Sequence, residues 1–322
     1  MNVPETFGGN QMDLLSFVLV IEEIAKACAS TALVTVAHHF TTQGIGIAGN
    51  SNQKERYLPD LASGQILGAF AVHEPASGCV ATAIETFALK TDDGYVLNGT
   101  KFFITSAGEA SVYLVLAVTD KEKGPAGLSM FLIDKDNKGL KFSTPYKRLG
   151  FNGTSGRDVF FEDCLIPKEN LLGTEGDGLK YLGEIIGKYI LLGAGSISLG
   201  IAEAALSASI HQVKTLSISG KPISTNQTVA FKISEISVMV NSARAFLYLA
   251  AAGITDNSAE PNPLWMMQSK IYASEMAVDV TNMALQLHGG HGYCNDLPIE
   301  RYLRDARGLT MHYGNSIHPF IA

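Results

Sequence analysis

The chain has 322 residues, of which 46% are hydrophobic and 17% charged, and carries a net charge of −7. Length and composition suit a compact globule of one large or two to three smaller domains and exclude a disordered chain. The acidic balance and the scattered Lys and Arg leave no basic stripe for a nucleic acid, so a phosphate-bearing ligand must be held locally by backbone N–H groups, hydroxyls and a few cations.

Between Asp13 and Ala27, Leu14, Phe17, Val18, Ile21 and Ile24 share one helical face, with Glu22, Glu23 and Lys26 elsewhere. Ala32–Ile47 and Asn52–Leu61 continue in the same style, and residues 1–67 are predicted to be helical. From Gly68 the period changes. Phe87–Lys90, Tyr95–Leu97, Lys101–Thr105, Val112–Ala117, Ser129–Ile133 and Val159–Phe161 are short β-rich runs, separated by turn residues such as Asp92-Asp93-Gly94 and Asn98-Gly99. They predict a small barrel or sandwich over residues 68–175. Beyond Gly178 the segments Tyr181–Gln212, Asn226–Ala252 and Trp265–Leu287 return to helical spacing, which favours an antiparallel four-helix bundle over residues 176–322. The predicted class is α+β in three parts: N-terminal helices, a middle β-barrel or sandwich, and a C-terminal bundle.

Cys28, Cys79, Cys164 and Cys294 lie far apart with no CxxC pair, which argues against zinc and a disulfide framework and for a reducing compartment. Each reads as a small buried apolar residue, and no metal site is expected. No apolar run reaches the ~20 residues of a membrane helix and no signal peptide opens the chain, so it reads as cytoplasmic. Gly193-Ala194-Gly195-Ser196-Ile197-Ser198 superficially matches a dinucleotide fingerprint, but it sits inside a helical run and reads as close helix packing.

Three segments point to chemistry: Gly68-Ala69-Phe70-Ala71-Val72-His73-Glu74-Pro75-Ala76-Ser77-Gly78; Leu97-Asn98-Gly99-Thr100-Lys101-Phe102-Phe103-Ile104-Thr105-Ser106; and Leu285-Gln286-Leu287-His288-Gly289-Gly290-His291-Gly292-Tyr293, followed by Arg304-Asp305-Ala306. In this order they resemble the acyl-CoA dehydrogenase family over essentially the whole chain. The resemblance implies FAD as cofactor. It places Phe70, Val72, His73, Phe103 and Thr105 along the flavin and Gln227, Gln286, Gly289, Gly290 and Asn315 at the rest of the cofactor, and it gives Cys79, Tyr293, Tyr313 and Gly314 to the substrate. A flat ring that must be held at a set potential needs an aromatic neighbour and a few donors, which these residues supply. The opening Met1–Gly9 matches a loop that in the family follows two earlier helices, and Pro319–Ala322 stops short of a final helix, so both ends are expected to be shorter than the family pattern.

The pattern breaks where the family keeps its general base. The position of the catalytic Glu holds Tyr313, and the alternative position, on an earlier helix, holds Ile190; neither accepts a proton at neutral pH. Next to it, an organising Arg is replaced by Leu191. A further Arg and Phe, which reach a neighbouring subunit's FAD in the family, correspond to Leu216 and Ser219, and the family's Ser-Asp is Cys79-Val80. His38, His39 and His312 are the remaining candidates for a base.

The resemblance thus implies an FAD-dependent oxidoreductase performing α,β-dehydrogenation of an acyl-CoA thioester. Electrons would pass to an electron-transferring flavoprotein, and the chain would form a homo- or hetero-oligomer through its bundle. The departures imply an alternative, a non-catalytic or half-site subunit of a hetero-oligomeric acyl-CoA dehydrogenase.

Overall fold

A computed structural model describes residues 1–78, 80–253 and 262–312. The chain forms two compact units, one of residues 1–13, 34–147 and 154–189, the other of residues 14–33, 148–153 and 190–322. Their limits do not follow the changes of period at 67 and 175.

Three helices come first, α1 (Leu14–Ala27), α2 (Ala29–Ala48) and α3 (Ser51–Ser63). The start of α3 is fixed by a reciprocal cap. The Asn50 side chain accepts from Gln53 N at 2.9 Å, while the Gln53 side chain accepts from Asn50 N at 3.0 Å.

Eight strands then follow, β1 (Gly68–Ala71), β2 (Phe87–Lys90), β3 (Gly94–Thr105), β4 (Val112–Val118), β5 (Leu128–Asp134), β6 (Leu140–Phe142), β7 (Gly156–Pro167) and β8 (Leu171–Leu172). They form one sheet in the order β6-β7-β3-β2-β4-β5-β8, with β1 parallel to β4. The sheet curls over its own inner face: Tyr95 of β3 meets Phe131 of β5 with ring centroids 4.9 Å apart, and Tyr113 of β4 meets Phe142 of β6 at 5.6 Å. Around these rings Leu97, Val115, Ile133, Val159, Phe161 and Ile166 form the core.

Two runs expected as separate strands, Tyr95–Leu97 and Lys101–Thr105, are one strand, because the Asn98-Gly99 turn signal is absorbed as an irregularity in the β3–β7 register. Gly99 serves close approach there, since a Cβ on it would lie 2.5 Å from Thr86 Oγ1. The strands β1, β6 and β8 are two to four residues long, too short for an alternation to show.

After β8 come α4 (Gly178–Ile185), a π turn (Ile186–Ile190) and α5 (Leu191–Thr215); then a small hairpin of β9 (Ser217–Ile218) and β10 (Lys221–Pro222), and α6 (Gln227–Ala252), α7 (Pro263–His288) and α8 (Ile299–Leu309). Asn226 caps α6 and Asn262 caps α7. In the helical unit α1, α5, α6, α7 and α8 pack on one another. A Cβ on Gly195 would lie 2.8 Å from Leu247 Cδ1, so the Gly193–Ser198 run serves close helix packing, as expected. Arg244 of α6 donates to Glu22 of α1 at 3.0 Å and to Glu203 of α5 at 2.6 Å, and the Tyr248 hydroxyl donates to Glu22 at 2.5 Å. This charged knot joins three helices with every partner hydrogen-bonded.

Two expectations are corrected. Of the three described cysteines only Cys164 is buried, its thiol pushed up to about 12 by desolvation; Cys28 and Cys294 lie at the surface, and Cys79 is outside the described residues. One continuous helical stretch, Gly178–Thr215, is long and apolar enough to cross a membrane, but 72% of its most apolar window is buried inside the protein, which accounts for its composition as core.

Both histidines of α2 have structural places within the β-containing unit. His38 accepts from Gly68 N at Nδ1 (3.1 Å), which leaves Nε2–H to donate to Leu61 O (3.0 Å), and burial lowers its pKa. His39 is 3% exposed and edge-on to Tyr189, and burial drives its pKa to about 3. With a lowered folded pKa the unfolded chain binds the extra proton first, so this contribution to stability is complete above pH 6.5 and is lost as pH falls toward 3. Between pH 7 and pH 5 the wild type should lose about 2 kcal/mol more unfolding free energy than His39→Leu, as measured by denaturant titration at the two pH values.

Candidate active site

In the β-containing unit the first two sequence segments meet around one buried ion pair. Lys101, central in β3, is fully buried and donates to Glu74 Oε1 at 2.6 Å and to Val72 O at 3.1 Å. Glu74 also accepts from Glu85 N at 2.6 Å and Thr86 N at 3.1 Å. Burial pushes the Lys101 ammonium down to about 8 against the pull of Glu74. Burial alone would raise the Glu74 carboxyl, but Lys101 and the two backbone donors hold it below the usual range. Phe102 N completes the seam by donating to His73 O at 2.8 Å.

Beyond this seam the register of β3 against β7 shifts between Lys101 and Ile104, and Phe103 adopts a left-handed φ of 57°. Such a conformation costs a non-glycine residue about 1 kcal/mol or more and recurs at ligand sites. Its consequence is that the Phe103 ring stands 59% exposed, while Ile104 and Thr105 on either side of the next turn are buried. Phe103 lies 4.7 Å from the Tyr146 ring at 31°. His73 is exposed, and burial of its surroundings, with the Lys101 charge, lowers its pKa, so the imidazole is neutral at pH 7. Phe70 is half-buried with its ring edge-on to Phe40, so part of it belongs to the core.

In the helical unit α7 ends in a 3₁₀ turn, Gly289–Tyr293, that carries the third segment. Its glycines differ in what they need. Gly292 has no room, since a Cβ would lie 2.7 Å from His288 Cβ. Gly289 has φ 61°, which favours glycine. Gly290 has neither constraint: among the described residues, a Cβ on it would meet nothing within 4 Å. Gln286, Gly289, Gly290 and Tyr293 are all exposed, Tyr293 to 82%. Helices α6 and α7 have 26 residues each, about 39 Å. The two helices pack on one another, and Gln227, the first residue of α6, is exposed.

The Arg-Asp-Ala motif lies on α8. Asp305, raised in pKa by burial, accepts from Phe151 N at 2.5 Å, and Arg304 donates to Leu149 O at 2.8 Å, so the motif docks residues 148–153 on the helix. Phe151, with φ 55°, lies 5.6 Å from the His312 ring.

Three family models match in order: the acyl-CoA dehydrogenase N-terminal domain over residues 1–65, the middle domain over 69–164 and the C-terminal domain over 191–316. The chain belongs to the acyl-CoA dehydrogenase family. It is 36% identical over 317 residues to an acyl-CoA dehydrogenase of Bacillus subtilis, covering 98% of this chain and 82% of that protein. The structure of butyryl-CoA dehydrogenase from Megasphaera elsdenii superposes with a TM-score of 0.95 at 34% identity, covering 99% of this chain and 84% of the other. An FAD-dependent dehydrogenase superposes at 0.92 with 30% identity, covering 98% and 86%.

The cofactor of an acyl-CoA dehydrogenase of this kind is FAD, and the residues here fit it. An exposed aromatic ring stands near the end of β3, and a solvent-facing glycine turn ends α7 with one glycine that nothing among the described residues requires. The structure brings Val72, His73 and Phe103 together through the Lys101 seam, and joins Gln286, in the last turn of α7, to the Gly289–Tyr293 turn through the Gly289 N–H that it accepts. Cys79, Tyr313, Gly314 and Asn315 lie outside the described residues. Two participants escaped the sequence reading. Lys101 stood inside a quoted segment, but a lysine in a strand gives no sign of being buried. Tyr146 stood in an unassigned run, and only the curl of the sheet carries it to Phe103. Of the histidines considered as bases, His38 and His39 are committed to the structure, and His312 is turned against Phe151.

Because a side chain at Gly290 meets nothing among the described residues, Gly290→Val should leave the melting temperature within about 2 °C of wild type, as for a neutral surface change. It should nonetheless strip FAD from the purified protein, measured by the 450 nm absorbance ratio; full flavin content would refute the placement.

Proposed function

We propose that the chain is an FAD-binding oxidoreductase of the acyl-CoA dehydrogenase type, acting on an acyl-CoA thioester in the cytoplasm and passing electrons to an electron-transferring flavoprotein. The reading divides it into helices over 1–67, a β-domain over 68–175 and a bundle over 176–322, and places its oligomer contacts on the bundle. The observation that carries this reading is the exposed Phe103 ring, set in a strained conformation at the end of a strand anchored by the buried Lys101–Glu74 pair. Strain that serves no packing purpose fits a surface made for a ligand.

FAD, when bound, supplies the hydride acceptor for the substrate's β-hydrogen. In this reading Phe103, with Val72 and His73, walls the ring, Thr105 lies beside it, and Gln286, Gly289, Gly290, Gln227 and Asn315 hold the remainder. His73 offers a neutral imidazole donor where the family has a threonine. The thioester runs past Cys79, Tyr293, Tyr313 and Gly314. Removing the α-proton is the step this chain serves worst, since position 313 holds a tyrosine, and a phenol does not act as a base at neutral pH as a carboxylate does.

A second reading, a half-site subunit of a hetero-oligomer, draws support from the other substitutions. Leu216 is 38% exposed and Ser219, at φ 52°, is in the β9–β10 turn, so neither offers a cation or an aromatic ring to a neighbouring subunit. The visible spectrum of the purified chain separates the two: flavin at full stoichiometry supports a self-contained site, and its absence supports the half-site.

A carboxylate base contributes roughly 10²–10⁴-fold. The wild type should therefore bleach its flavin slowly in anaerobic titration with a panel of saturated acyl-CoA thioesters, and Tyr313→Glu should accelerate bleaching by roughly 10²-fold or more. Wild-type turnover at an ordinary ~10 s⁻¹ would show that another group removes the proton.

A further inference from the structure

We infer that Tyr146 is a positioning residue for the cofactor: it holds the Phe103 ring in the orientation that meets the flavin. The inference rests on the reading that Phe103 walls the ring, and it goes beyond it by naming what restrains Phe103.

An aromatic ring that is 59% exposed has few contacts of its own to choose one rotamer. Phe103 has two aromatic neighbours in the same unit. Phe102 meets it edge-on at 6.0 Å and 85°, and Tyr146 lies against it at 4.7 Å, tilted by 31°. An aromatic pair at such a separation adds specific attraction beyond area burial.

Tyr146 is suited to the task because it is itself fixed at two points, one of them braced in turn. Its backbone N donates to Gly156 O at 2.9 Å, and Gly156 pairs with Thr105, two residues beyond Phe103. Its phenol hydroxyl donates to the Asp158 carboxylate in a short contact. Asp158 is in turn tied to the start of the same segment, its N donating to Ser143 Oγ at 2.9 Å and its O accepting from Ser143 N at 3.1 Å. The segment 143–146 is therefore stitched to one edge of β7 while β3 pairs with the other. The hydroxyl stays protonated through the working range, since burial and Asp158 push its pKa up to about 12. The ring is thus a rigid backstop, and the opposite face of Phe103 is left for a ligand.

The test is a double-mutant cycle on FAD binding to the full-length protein stripped of flavin, titrated with FAD and read by fluorescence quenching and by the flavin reduction potential. Circular dichroism confirms that each variant is folded, and Tyr146→Leu is used to keep apolar bulk. Phe103→Ala and Tyr146→Leu should each weaken FAD binding by roughly three- to tenfold and shift the potential, as loss of one aromatic contact predicts. Adding Tyr146→Leu to Phe103→Ala should change nothing further, because Tyr146 acts through Phe103. Tyr146→Phe, which keeps the ring, should restore most of the affinity. If Phe103→Ala weakens binding and Tyr146→Leu does not, or if the two effects add, the inference is overturned while the placement of Phe103 stands. If Phe103→Ala also binds as wild type does, both fall together.

Discussion

A charged pair with almost no access to water sits between the two segments proposed to carry the flavin wall, and the local geometry depends on it. Taking one ammonium or carboxylate out of water costs several kcal/mol, and the cost is offset only when partner and hydrogen bonds are all present. Lys101 and Glu74 meet that condition. The lysine reaches Glu74 and Val72 O, and the carboxylate also takes the N–H groups of Glu85 and Thr86. Three stretches of backbone, residues 72–74, residues 85–86 and β3, are thereby held at one point, and β3 carries Phe103 near its end. Exposed pairs such as Arg56–Asp134 at 2.8 Å bind no such junction, and contribute little.

Strain marks the end of the strand that this junction anchors. Phe103 and Ser106, at the end of β3 and just beyond it, both have left-handed φ values. Phe151, in the helical unit, repeats the device, held by Asp305 of the Arg-Asp-Ala motif. In each case a neighbouring anchor supplies what the residue's own conformation lacks. Under the proposed assignment the position of the general base holds Tyr313 in place of a carboxylate, while His38 and His39 have structural places.

Much of this architecture was readable from the residues, because each unit's period is strong. The continuous β-rich run Val112–Ala117 and the helical spacing of Asn226–Ala252 reappear within a residue or two as β4 and α6. Turn signals misled where tertiary contact overrode them: Asn98-Gly99 looks like a hairpin loop, but Gly99 is there so that β3 can pass against Thr86. Cys28 and Cys294 were expected inside on residue type alone, and their exposure follows from lying at helix ends and not on a core face. The glycine turn after α7 was visible in sequence, but only coordinates show that Gly292 serves packing, Gly289 serves backbone conformation and Gly290 serves neither. Contacts between residues remote in sequence, such as Lys101 with Glu74 or Phe103 with Tyr146, have no periodic signature.

The most direct test of this account is the FAD dissociation constant of Lys101→Met, measured on protein whose helical circular dichroism equals that of wild type. Removing the ammonium leaves Glu74 buried and unpaired and releases Val72 O, so FAD should bind at least about tenfold more weakly, and the β-containing unit should unfold at lower denaturant by about 3 kcal/mol. Wild-type affinity and full flavin content in that variant would contradict the claim that this pair positions the flavin wall.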